Sequence, residues 1–322
     1  MVHTKHIHSS DECCEEDKKP GTHRKKFTWK IGNFWKTLAY LLLAILTLTQ
    51  LSGYTLNAEL GSFLHHYRMA RMEAAVLPAE GVILPVSWGS IGRQMVDLGI
   101  VDREKLIALY GEREGLTTQA NFLLSDVADG PVVINSENAP VLLNLLWAFG
   151  LGNKNRILEK GPMTDEHYGG DAGRFASTAG WTLAKGDPMS HYSQHELVTL
   201  SSEQQALVEE VSKNIYRPCC GNSVYFPDCN HGMAMLGLLE LMAASGASVD
   251  SMYKTAMYVN AYWFPDTYLT IAKYMDEVNG LSWKKVDPKI VLGSSYSSAA
   301  GIRGVMQEIE PPVLRGGPSC SV

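Results

Sequence analysis

The sequence is short of several things, and each shortage closes off a class of protein. Only 6 of its 322 residues are cysteine, too few for the small secreted scaffolds in which disulfides stand in for a core. The net charge is −6 and the pI about 5.9, so no basic surplus exists to draw a nucleic acid, and no nucleic-acid partner is expected. Strand-forming runs are scarce. PVVIN at 131–135 is the clearest, and the sequence shows no evident partner for it. The run GGDAG at 169–173 lacks the Gly-Lys-Ser/Thr ending of a phosphate loop, so no nucleotide is expected. HExxH is missing as well, which removes the usual zinc-protease signature.

What the chain does have is a globular composition, 45% hydrophobic and 19% charged, with enough length for a large core. It also has one long uncharged run, Thr37 to Ala58, centred on LAYLLLAILTLTQL. At about 1.5 Å per residue, roughly twenty helical residues span the roughly 30 Å hydrocarbon core of a bilayer. Arg24, Lys25, Lys26, Lys30 and Lys36 precede the run, and only Glu59 follows it closely. That asymmetry predicts a cytoplasmic N-terminus and a main domain outside the cytoplasm, periplasmic or extracellular. Trp35 and Tyr54 stand where interfacial aromatics belong. Leu56-Asn57-Ala58 is a poor match to the small residues a signal peptidase needs, so the segment 34–58 is expected to stay as a signal-anchor.

Residues 1–33 have no apolar periodicity and are expected to form a disordered cytoplasmic tail. His3, His6, His8, Cys13 and Cys14 there are soft-metal donors without fixed geometry. Residues 311–322, with Cys320, form a second expected disordered tail. Between them, 59–310 reads as short capped helices. A stalk runs to Leu77, where Pro78 and Gly81 end it. Ser90, Asp102, Ser136 and Ser201 or Ser202 then each precede a helical pattern, the last with Gln204 or Gln205 in the capping-box position. ENAPVLLNLLWAFGLG is apolar but too short to span a bilayer, so it is expected in the core. The fold class predicted is mainly α: a single N-terminal transmembrane helix followed by an extracytoplasmic helical domain with helical hairpins.

Chemistry concentrates at 216–245, YRPCCGNSVYFPDCNHGMAMLGLLELMAAS. Cys219, Cys220, Cys229 and His231 lie on its Gly/Pro/Asn-rich half, and Cys229 is placed at the start of an apolar helix. A helix N-terminus stabilises anions, which favours the thiolate that binds metals and attacks electrophiles. Three sulfurs and an imidazole match a Cys₃His zinc set in ligand count. Met233 and Met235 are soft donors nearby that would suit copper(I), although an apolar helix uses methionine as core. Downstream of Asp187-Pro188, a helix carrying His191 and His195 four residues apart would add two further ligands on one face.

A second aromatic-Pro-Asp string, Phe264-Pro265-Asp266, echoes Phe226-Pro227-Asp228. With Pro stopping one element and Asp capping the next, the two strings suggest related helical hairpins. The irregular segment 160–187 reads as a loop long enough to be a lid.

Three uses of the cluster follow. The first is a site for a soft transition metal, copper or zinc, or for thiol redox, working with a metal or redox partner protein. The second is a disulfide from Cys229 to one of the vicinal cysteines, stapling a helical interaction module. The third is a hydrolase or transferase with Cys229 as nucleophile and His167, His191 or His195 as its base.

Overall fold

The structure is a computed structural model that describes residues 28–312, apart from 112–115 and 126. The donors His3, His6, His8, Cys13, Cys14 and Cys320 lie outside the described residues, as do most of both expected tails. The chain divides after His65 into an N-terminal part and a C-terminal body.

One helix, α1 (Thr28–Val76), carries the uncharged run and the stalk. From Asn33 onward it is long and apolar enough to cross a membrane, and the side chains of the uncharged run are almost all exposed. Leu38, Leu41, Leu42, Leu43, Ile45 and Leu46 all face outward, a pattern that is costly in water and cheap in lipid. Ahead of Pro78 the helix stops, as the sequence predicts.

The body is mainly helical. PVVIN does find a partner: β1 (Val82–Leu84) and β2 (Val132–Ile134) pair antiparallel, with Val82 opposite Ile134. Three residues are too few to show period-two alternation, which is why β1 is invisible in the sequence. Helices α2 (Ile91–Asp97), α3 (Arg103–Gly111) and α4 (Thr118–Leu123) fill the space between the two strands in sequence. Asp102 caps α3, its Oδ1 accepting from the Glu104 amide at 3.0 Å. The predicted core helix is α5 (Ala139–Gly152), buried along nearly its whole length. It is followed by α6 (Arg156–Lys160) and α7 (Ala176–Ala179). The segment 160–187 is thus built of short turns and not left structureless. Then come α8 (Ser202–Lys213), where Ser201 and Gln204 are the pair that forms the capping box, and α9 (Asn230–Ala244). The chain closes with α10 (Val249–Trp263), α11 (Pro265–Glu277), α12 (Pro288–Leu292), α13 (Ser294–Ser297) and α14 (Ala299–Glu308).

Helices α5 and α9 form the centre of the body, and two glycines set how closely they pack. A Cβ on Gly150 would lie 2.3 Å from the Met233 carbonyl oxygen, and one on Gly237 would lie 2.6 Å from the Leu146 carbonyl oxygen. Both obstacles are backbone, so they cannot swing aside. Gly150→Ala should therefore cost about 1–3 kcal/mol through forced separation of the helices. A urea-unfolding midpoint unchanged from the parent would show that α5 and α9 do not meet there.

Four tryptophans tie this centre to the rest. Trp88, Trp147, Trp181 and Trp263 are all buried, and each indole N–H finds a main-chain carbonyl: Leu123, Ser177, Ile100 and Ala139, at 2.7 to 3.2 Å. Buried polar atoms demand such partners. The Trp147–Ser177 bond fixes the 160–187 segment against α5 and brings it beside the cysteine loop, where the Ser177 amide donates to the Asp228 carbonyl at 3.1 Å.

The two Phe-Pro-Asp strings start their helices in different registers. Pro265 is the first residue of α11, whereas α9 begins only at Asn230, three residues beyond Pro227. Cys229, not Asp228, caps α9. Cys229 and Thr267, which follow the two strings, therefore do not hold equivalent positions, because each proline serves a different chain path into its helix.

Candidate functional site

The site is a loop pinned from several sides. Tyr216 and Ser223 form an antiparallel bridge that closes the loop carrying Cys219 and Cys220. The Tyr216 amide donates to the Leu292 carbonyl at 2.8 Å, and the Asn260 side chain donates to the Tyr216 carbonyl at 3.1 Å. On the other side the Ala299 amide donates to the Cys220 carbonyl at 2.9 Å. The cysteines sit partly buried on this frame.

Arg217 organises the loop's interior. Its side chain is only 1% exposed, and a charge so buried needs partners on every side. Nη1 donates to the Asn222 carbonyl at 2.9 Å, Nη2 to the Phe226 carbonyl at 2.9 Å, and Nη2 also pairs with Asp228 Oδ1. Nε donates to Cys229 Sγ at 3.2 Å. Asn222 Nδ2 holds the other Asp228 oxygen at 2.8 Å. One planar guanidinium thus binds both ends of the loop and one of its sulfurs, a task for which arginine's fork is suited and lysine's point charge is not. Gly232 leaves room for it: a Cβ there would lie 2.7 Å from the guanidinium carbon.

Cys229 caps α9, its Sγ accepting from the Gly232 amide at 3.4 Å. Its sulfur stands 3.5 Å from Cys219 Sγ, and the two are not bonded. Cys220 Sγ donates weakly to the Asn222 carbonyl at 3.9 Å. All three sulfurs lie within 4.8 Å of one another. Hydrogen bonds from the Cys219 and Cys220 thiols hold the Cys229 pKa well below the ordinary thiol value; the Arg217 charge and its Nε–H act the same way, and burial opposes them. For Cys220 the Cys219 hydrogen bond pulls the pKa down. Its own bond to Cys229 and its burial prevail, pushing it up to about 11. Burial raises the Asp228 pKa, Arg217 lowers it, and the Cys229 charge raises it again. Of these sulfurs, Cys229 thus has its thiolate form favoured and Cys220 its thiol form.

The structure divides the sequence-predicted residues. Cys219, Cys220 and Cys229 come together. His231 lies on the first turn of α9 but is buried, with its ring 4.4 Å from Phe264 and 5.7 Å from Trp263, and Nδ1 bonded to Asn230 Oδ1 at 2.8 Å. It is not grouped with the three sulfurs. Met233 and Met235 pack in the hydrophobic core.

His191 and His195 do face one another, Nδ1 to Nε2 at 3.1 Å, but not on a helical face. The expected helix is a single 3₁₀ turn, Pro188–Ser190, capped by Asp187 as predicted. The chain then turns through Ser193, at φ 52°, so that His195 forms a parallel bridge with Asn153. Burial, then the neighbouring His191, lowers the His195 pKa. No imidazole is among the groups that touch Cys229 Sγ in the described residues, which are Cys219, Cys220, Arg217 and Gly232.

Sequence reasoning did not find Arg217, Asn222 or the pairing role of Asp228. A signal was present: apart from His231, Arg217 is the only basic residue in 216–245, and Asp228 is one of only two acids there. An isolated opposite pair in an apolar stretch points to a buried ion pair. No protein family's sequence model matches the chain, and no curated protein or solved structure is significantly similar to it. What the site does must therefore be argued from its own geometry.

Proposed function

We propose that this is a membrane-anchored protein whose external domain binds a soft transition metal ion, copper or zinc, through Cys219, Cys220 and Cys229. The observation that carries this is the convergence of three sulfurs within 4.8 Å on a loop held by hydrogen bonds from several elements. Thiolate sulfur is the donor that selects copper(I) and zinc over hard cations. N–H donors already aimed at Cys229, from Arg217 and Gly232, are the kind of outer contacts that orient a ligand and tune a metal. The five basic residues ahead of the uncharged run, with only Glu59 close behind it, support an N-terminus in the cytoplasm and the site on the far side.

A second use of the same sulfurs, dithiol–disulfide exchange with a redox partner, is favoured by the 3.5 Å contact between Cys219 and Cys229 and by the low pKa of Cys229. Elemental analysis of the reduced full-length protein, after copper(I) or zinc loading and desalting, tests the metal. About one equivalent per chain is expected, lost in Cys229→Ser. A chain that retains no metal, yet has Cys219 and Cys229 blocked to thiol reagents until reduced, would sink the metal and leave the dithiol couple.

A further inference from the structure

A second concavity, lined by none of the cysteines, opens between the end of α1 and α11. It encloses about 510 Å³, within the size range of small-ligand sites. Arg68 and Arg71 stand on its α1 side, Asp276 on its α11 side, and Lys284 on the turn beyond α11. Arg68 and Asp276 neutralise each other at 2.6 Å. Arg71 and Lys284 have no such partner. Among the described residues neither forms an ion pair, and the Arg71 guanidinium rests over the Tyr67 ring, 5.8 Å from its centroid. Two uncompensated cations lining one recess focus a positive potential into it. Trp283, which forms part of the wall, is 4% exposed, and its indole N–H has no acceptor, an omission buried donors rarely show.

We propose that this concavity binds a phosphate-type oxyanion carried on a small organic body. Arg71 and Lys284 supply the charge that an oxyanion requires, with the guanidinium able to bind two oxygens at once. The body is needed because bare phosphate would leave most of the recess unfilled, and because Met72, Ala272 and Trp283 give it an apolar side. Such a group has two sources, a phospholipid headgroup or a soluble phosphate ester. The residues that read it are the same in either case.

The test uses the full chain in maltoside micelles, comparing the parent with the double variant Arg71→Gln/Lys284→Gln. Both residues are exposed, so the variant should fold. One arm titrates glycerol 3-phosphate. The other dopes the micelles with phosphatidylglycerol, with phosphatidylcholine as the uncharged control. Binding is followed calorimetrically and by the rise in thermal midpoint. At least one arm should bind the parent, weaken with added salt, and be about tenfold or more weaker in the double variant. Success in the soluble arm alone identifies a free ester, and success in the doped micelles alone identifies a headgroup. No binding in either arm, or equal binding by parent and variant, overturns the proposal.

Discussion

Arg217→Met should unfold the cysteine loop's interior at a cost of about 3–5 kcal/mol, the usual penalty for removing one partner of a buried charge pair. Methionine fills a similar volume but donates nothing. The carbonyls of Asn222 and Phe226, each held at 2.9 Å, would lose their donor, and the Asp228 carboxylate would keep only Asn222. A drop in the urea midpoint of the body is the first measurement. The second is chemical, because Arg217 also touches Cys229 Sγ. Without the guanidinium, the Cys219 and Cys220 hydrogen bonds still lower the Cys229 pKa, but it should climb part of the way toward the ordinary thiol range, and alkylation by iodoacetamide near neutral pH should slow.

The linkage gives this prediction a sign. A thiol whose pKa is lower in the folded chain than in the unfolded one adds stability that is complete above the unfolded value, about 8.5. That stability is lost as the pH falls through the folded value. The Cys229 contribution to stability should thus rise across the interval between the two, and Arg217→Met should reduce that rise. Arg217→Lys separates charge from shape: a lysine retains the cation but not the fork, so it should recover part of the thiolate and little of the loop's rigidity. If Arg217→Met alkylates as fast as the parent, Arg217 does not govern Cys229.

The contrast between what could and could not be read from the sequence follows the range of each interaction. The capping box at Ser201, Asp187 ahead of Pro188, and the stop of α1 ahead of Pro78 are local, and the structure has all three. Cys229 at the start of α9 was legible for the same reason, and with it the helix that presents the sulfur. The mainly helical body followed from the shortage of strand-forming runs. Arg217 was not legible, since its partners lie five to twelve residues away across a loop of no repeating geometry. A four-residue spacing suggested a helix for His191 and His195, yet a turn at Ser193 brings them together. The side chains meet, but by a path that spacing alone could not give.

Glu240 carries the other large expected effect. It lies on α9, the helix that Cys229 caps, and is fully buried. Asn153 Nδ2 donates to Oε2 at 2.5 Å, while Oε1 has no partner. Burial raises its pKa well above the usual carboxylate range, and the Asn153 and Asn155 amides pull the other way without prevailing. Burial thus favours the protonated, neutral form of the side chain beyond the usual carboxylate range. Its sign is opposite to that of Cys229. Stability is complete below the unfolded glutamate value, then falls as the pH rises toward the folded one, because only the unfolded chain gives up its proton. Glu240→Gln removes that slope. A carboxamide is neutral at every pH, and its oxygen can keep the bond from Asn153 Nδ2. The glutamine variant should gain nothing over the parent near pH 4 and gain steadily on it as the pH rises above the ordinary carboxylate range. Glu240→Ala should instead lose about 3 kcal/mol or more, through a cavity and an unpaired Asn153 amide. Urea midpoints measured from pH 4 to pH 9 distinguish these cases. If the parent and glutamine curves run parallel throughout, Glu240 is ionised inside the core, and α9 must then hold a cation against it that no contact in the described structure supplies.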